Sequence, residues 1–110
     1  MKKLEIIIQP EKLEALKAIL DASNVSGIMI SNIMGYGNQK GHKQFYRSAE
    51  YSVNLLPKIK VETVVEPEVA EPLIRKIVEE IKTGAYGDGK IIVYEVQDAV
   101  RIRTGERGTD

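Results

Sequence analysis

The chain has 110 residues, room for one domain with a modest core. Sixteen basic and sixteen acidic side chains cancel, so neither nucleic acid nor a charged membrane surface is the default partner, although a local basic cluster could still hold a small anion. The absence of cysteine excludes disulfides and thiolate chemistry, and no apolar run approaches the length needed to cross a bilayer.

Met1-Lys2-Lys3-Leu4-Glu5 passes straight into an alternating pattern with no apolar signal core, which points to the cytoplasm. Leu4, Ile6 and Ile8 alternate with Glu5, Ile7 and Gln9 and predict a strand with one strongly apolar and one mixed face. Pro10 ends it and can open a helix. Within 11–23, Leu13, Leu16 and Leu20 fall on one helical face with Ile19 beside them, and Asn24 is a plausible stop. Residues 27–34 read as a second strand.

The second half repeats this order. Ile59, Val61, Thr63 and Val65 alternate with Lys58, Lys60, Glu62 and Val64 as a third strand. Pro67 and Pro72 bracket a helix start, Ala70, Ile74, Ile77 and Ile81 space out its face, and Gly84 suits its C-terminal cap. Residues 90–96 form a final apolar strand. Strand-helix-strand, twice, pairs each unit's strands side by side through a right-handed crossover. Two such units in one sheet predict an α+β fold, the ferredoxin-like double β-α-β sandwich. Two helices cover one sheet face only, yet Ile7, Met29, Ile33, Ile92, Tyr94 and Val96 supply apolar groups to the other, which predicts self-association in a closed ring.

Three segments carry candidate chemistry. Residues 35–56 form a long polar connection, unusual unless functional, and are expected to project. At its base, Gly35, Gly37 and Gly41 allow close backbone approach to a ligand, or serve as a hinge. In Thr83-Gly84-Ala85-Tyr86-Gly87-Asp88-Gly89-Lys90, successive glycines could present backbone N–H groups to phosphate with Lys90 at the rim, or form a helix cap and tight turn. The spacing is not that of a Walker A loop. Arg101 and Arg103, two apart in extended chain, would point the same way and match a polyphosphate, or belong to a solvated tail. Catalysis finds little support. His42 has no neighbouring nucleophile, Asp88 and Glu62 read as isolated carboxylates, and no cluster has metal-ligand spacing.

Together, in this order, these segments closely resemble the PII nitrogen-regulatory signalling proteins, from Met1 to about Glu106. Gly35-Tyr36-Gly37-Asn38-Gln39-Lys40-Gly41-His42 resembles the family's loop base, Tyr46-Arg47-Ser48-Ala49-Glu50-Tyr51 its loop tip, Leu55-Leu56-Pro57-Lys58 the following strand, and Arg101-Ile102-Arg103-Thr104-Gly105 its C-terminal signature. The resemblance implies a non-catalytic homotrimer of ferredoxin-like subunits that binds ATP or ADP between subunits. It implies 2-oxoglutarate joining Mg²⁺-ATP, and control of an ammonium transporter or another nitrogen-metabolism enzyme or regulator through the mobile loop, without nucleic acid or membrane insertion. The single domain, 1–110, would carry a projecting loop at 37–55 and a C-terminal nucleotide-site segment and tail at 97–110.

By the same resemblance, Met29, Gly35, Gly37 and Val64 would surround the nucleoside, with Asn38 in the nucleotide site. Gly87, Asp88, Gly89, Lys90, Arg101 and Arg103 would hold phosphates. Gln39 would reach Mg²⁺ and, with Lys40, Gly41 and Lys58, the 2-oxoglutarate. Tyr51 matches a tyrosine that some members have uridylylated. Asn38 stands where an arginine is usual and Met29 where a threonine is frequent. Alternatives are a divergent member sensing only ATP/ADP, or a non-catalytic ferredoxin-like oligomeric binding module.

Overall fold

The structure, a computed structural model, describes residues 1–25, 27–36 and 55–109. Strand β1 (Lys2–Ile8) leads through a 3₁₀ turn at Pro10–Lys12 into helix α1 (Leu13–Ala22). Strands β2 (Ile28–Tyr36) and β3 (Leu55–Val65) follow, then helix α2 (Pro67–Ile81) and strand β4 (Gly89–Glu95).

Period-two alternation sorts the faces. Leu4, Ile6 and Ile8 of β1 and Ile59, Val61 and Val65 of β3 are buried together with Leu16, Ile19 and Leu20 of α1 and Ala70, Leu73, Ile77 and Ile81 of α2. Within each strand these residues alternate, and the register sets Ile6 opposite Val61 and Ile8 opposite Ile59, so both helices lie on the same face of the sheet. Ile74, expected in the helical face, is only partly buried, and Leu73 takes the core position instead.

The four strands pair antiparallel in the order β2-β3-β1-β4. This is the ferredoxin-like α+β sandwich, but it corrects one expectation. The strands of each crossover are not neighbours: β3 lies between β1 and β2, and β1 between β3 and β4. The reason is width. A helix is about 10 Å across, roughly two strand spacings of about 4.8 Å, so two helices fit side by side over four strands when each unit skips one strand.

Helix ends follow local chemistry. Asn24 adopts φ 62° and closes α1, with Asn24 N–H to Asp21 C=O at 3.0 Å and Val25 N–H to Leu20 C=O at 3.0 Å. These are the two bonds of a Schellman cap, and Val25 packs on the core behind it. The end of α2 departs from expectation. Lys82 leaves it in an extended conformation (φ −64°, ψ 144°), so Gly84 is not its cap; its φ of 88° belongs to the next turn. Pro72 lies inside α2 rather than at its start.

β2 runs on through Gly35 and Tyr36, and β3 begins at Leu55, with Tyr36 and Leu55 paired. Four residues of the connection expected at 35–56 thus belong to strands, Gly35 and Tyr36 to β2 and Leu55 and Leu56 to β3, and 37–54 lie outside the described residues. No helix among the described residues is long and apolar enough to cross a membrane.

Candidate functional site

One group of expected residues gathers where β1 ends and β4 begins. Gly89 opens β4 opposite Ile8. Its φ is 116°, and a Cβ there would fall 1.9 Å from the Ile7 carbonyl oxygen, so only glycine fits. Gly87 likewise has positive φ, 91°. Its carbonyl accepts from the Lys58 ammonium at 2.9 Å and from the Gln9 side-chain amide at 3.0 Å. Gly35, on β2, lets the Lys58 stem pass: a Cβ there would stand 3.2 Å from Lys58 Cγ.

Asp88 faces its own loop. Its carboxylate accepts from the Thr83 hydroxyl at 2.5 Å, the Thr83 N–H at 2.7 Å and the Gly84 N–H at 2.9 Å. The Thr83 hydroxyl, then the Thr83 N–H, hold its pKa below the ordinary value. A carboxylate engaged in this way shapes the loop. The Lys90 side chain has no hydrogen-bond or ion-pair partner among the described residues. A run of positive-φ glycines beside an unpaired lysine suits an anion such as phosphate.

The second group lies at the other end of the sheet. Met29 is 67% exposed on β2 and Val64 half-buried on β3. Both line a cleft of about 620 Å³ with Lys3, Glu62, Gly108 and Thr109. The C-terminal segment reaches this cleft as a small hairpin. Val100 bridges Arg107, the Arg101 N–H donates to the Glu106 carbonyl at 2.8 Å, and Gly108 N–H donates to Ala99 C=O at 3.0 Å. The Thr109 hydroxyl ties it to the Glu66 carboxylate at 2.9 Å.

This hairpin corrects the extended reading of Arg101 and Arg103. Residues 101–104 form a turn closed by Gly105 N–H to Arg101 C=O at 2.7 Å, so period-two alternation does not apply. Arg101 lies 3.7 Å from Glu106; Arg103 is exposed with no partner among the described residues. The neighbouring Arg107 pairs with Asp98.

Val64 and Lys58 are six residues apart on β3, roughly 20 Å at strand rise. One chain thus presents Gly35, Lys58 and Gly87–Lys90 at one end of its sheet, and Met29, Val64 and the C-terminal hairpin at the other. Gly37, Asn38, Gln39, Lys40, Gly41 and Tyr51 lie outside the described residues. Among the described residues no group of three or more His, Cys, Asp or Glu side chains could hold a metal.

Three side chains outside the expected site residues take part as well. Gln9 carried no signal, being a lone amide after a strand. Thr83 had one: a hydroxyl and an aspartate flanking a glycine turn commonly close it by side-chain-to-backbone bonds. Glu62, read as isolated, pairs with Lys3 at 2.9 Å. Tyr94, the aromatic on the open face, donates to Glu5 at 2.6 Å, with the Lys3 ammonium 5.2 Å from its ring centroid. That ring is engaged within the chain rather than offered as a stacking platform.

These features define a ferredoxin-like α+β sandwich with a glycine-lined, lysine-edged loop. The family description "Nitrogen regulatory protein P-II" matches residues 1–106. Relatives bearing that name include those of Rhodospirillum rubrum (49% identical) and Haemophilus influenzae (48%), each aligned over 100% of this chain and 98% of the relative. The Rhizobium meliloti protein is 49% identical over the same shares. The chain belongs to the P-II family of nitrogen regulatory signalling proteins.

Proposed function

We propose that the chain is a non-catalytic sensor subunit that binds ATP or ADP in a cleft between two copies of a homotrimer. It takes 2-oxoglutarate beside Mg²⁺-ATP, and controls a nitrogen-metabolism partner (an ammonium transporter, enzyme or regulator) through segment 37–54. The observation that supports this reading is that the residues expected to meet the nucleotide lie at opposite ends of one sheet. A copy that offers its glycine loop, Lys90 and Gly35 to the Met29, Val64 and Arg103 end of its neighbour completes a site that neither holds alone. A closed ring repeats that contact.

The donor set suits the ligand. Lys90 and Arg103 are unpaired among the described residues and supply positive charge from either side of such a cleft. A Mg²⁺ ion in this reading is held mainly by phosphate oxygens, which need few protein ligands; Gln39 is the protein group expected there. Lys58 already donates to Gly87, so an anionic effector reaches it by competing with that carbonyl.

Calorimetric titration tests the reading. ATP and ADP are expected to compete for one class of site, and 2-oxoglutarate to bind only with Mg²⁺-ATP. Binding of neither nucleotide, or a monomer mass by light scattering, would refute it.

A further inference from the structure

Gln9 follows β1 and belongs to none of the expected site groups. Its amide and the Lys58 ammonium converge on one oxygen, the Gly87 carbonyl, at 3.0 and 2.9 Å, and both bonds are partly buried. A carbonyl oxygen has two lone pairs, so Gly87 is saturated by one donor just past the end of β1 and one on β3. The loop is tied at Gly87 to β1 and β3, at Asp88 to Thr83 and Gly84, and at Gly89 against the Ile7 carbonyl. Of these ties, only Lys58 comes from a residue with a second expected task.

We propose that Gln9 is a positioning residue of the glycine loop: it holds the Gly87 carbonyl jointly with Lys58, and keeps it held when an anionic ligand draws Lys58 away. The second half rests on the function proposed above. An ammonium that moves from a neutral carbonyl to a carboxylate gains a charge-assisted bond. The carbonyl left behind, partly buried, would lack any side-chain donor without Gln9, and an unsatisfied acceptor is penalised. Gln9 removes that penalty, so loop shape survives the loss of Lys58. The geometry of the loop and the freedom of Lys58 are thereby separated.

The test compares Gln9→Leu, which has no donor, with Gln9→Lys, which restores one of similar reach. Two quantities are read in the full-length protein: backbone ¹⁵N order parameters of Gly87 and Asp88 without ligand, and ADP affinity by calorimetry. In Gln9→Leu the order parameters fall from about 0.85 toward about 0.6. The Kd for ADP rises roughly three- to tenfold, the equivalent of one net hydrogen bond, and Tm falls by no more than the few degrees that one such bond is worth. Gln9→Lys returns both readings to those of the parent protein. Unchanged order parameters in Gln9→Leu, or no recovery in Gln9→Lys, overturn the proposal. Titration of the unsubstituted protein keeps the two ideas apart. If it binds no nucleotide, the proposed function fails, whereas the order parameters, read without ligand, still decide the role of Gln9.

Discussion

Glu5 on β1 and Glu62 on β3 stand directly opposite each other in the sheet register, on the face away from the helices. Like charges so placed destabilise a sheet, and their neighbours offset the repulsion. Lys3 reaches Glu62 at 2.9 Å, Lys60 reaches Glu5 at 3.4 Å, and the Tyr94 hydroxyl donates to Glu5 at 2.6 Å. The open face is therefore not the simple apolar surface its Ile and Met residues predicted. A charge lattice crosses its middle.

That lattice sets a pH dependence. Tyr94, then Lys60, hold Glu5 below its ordinary value of 4.5. A depressed carboxylate contributes stability that is present above the unfolded value and lost as pH falls through the folded one. Lys3, through Glu62, and Tyr94, through Glu5, are raised above 10.5 and 10.0, so their contribution is lost as pH rises through the raised values. Melting curves from neutral pH to about pH 3 should show a smaller acid loss in Glu5→Gln than in the parent, with Asp88 and Glu95 supplying the remainder. An identical acid limb in both proteins would show that Glu5 is unperturbed.

Two glycines of one loop should respond very differently to alanine. At Gly89 the new methyl would lie 1.9 Å from the Ile7 carbonyl oxygen at φ 116°. Strain of about 1–3 kcal/mol from the backbone alone adds to a clash with a central strand. At Gly84 φ is 88° but nothing lies within 4 Å, so Gly84→Ala should lose only about 1–2 kcal/mol. Urea denaturation of the two variants measures the gap; equal losses would mean that the Gly89 turn relaxes freely.

Thr63 is the buried polar side chain on the helix-facing side of β3, and its hydroxyl donates to the Gly27 carbonyl at 2.7 Å. Thr63→Val keeps the shape and removes the donor. The expected loss is about 0.5–1.5 kcal/mol by denaturant unfolding, the net worth of one partly buried hydrogen bond to an exposed carbonyl. A neutral or stabilising result would mean that water replaces the hydroxyl at Gly27.

The cleft proposed between copies has a genetic-style test. Arg103→Ala should weaken ATP and ADP binding about ten- to a hundredfold, the range for a charge-assisted bond, with little change in Tm because Arg103 is exposed. Lys90→Ala should act similarly. Oligomers reassembled from a mixture of the two variants contain contacts in which both residues are intact, and these should regain tight binding. If mixing restores nothing, both residues act within one copy and the shared cleft is wrong.

Much of the fold was legible in the chain itself. Alternation in Leu4–Ile8 and Ile59–Val65 assigned the buried strand faces, and the 3.6-residue spacing of Leu16, Ile19, Leu20, Ile77 and Ile81 assigned the helical ones. Both are local periodicities, dictated by backbone geometry, and no tertiary contact needs to be known to read them. Asn24 stopped α1 where its tolerance of positive φ allowed. The family, too, was readable from the joint order of short segments.

What only the tertiary structure decided is partnership. Alternation says which face a residue occupies and nothing of which strand lies beside it, so the insertion of β3 between β1 and β2 awaited the packing of two helix widths over four strands. Arg101 and Arg103 looked extended because composition does not reveal a turn closed by a backbone bond from Gly105. The meeting of Gln9 and Lys58 on Gly87 joins residues 78 and 29 positions apart in the chain. The residues expected at the nucleotide and 2-oxoglutarate sites are divided in space because strand length places Lys58 and Val64 at opposite ends of one sheet. Local chemistry is written along the sequence, whereas distance between residues exists only once the chain has folded.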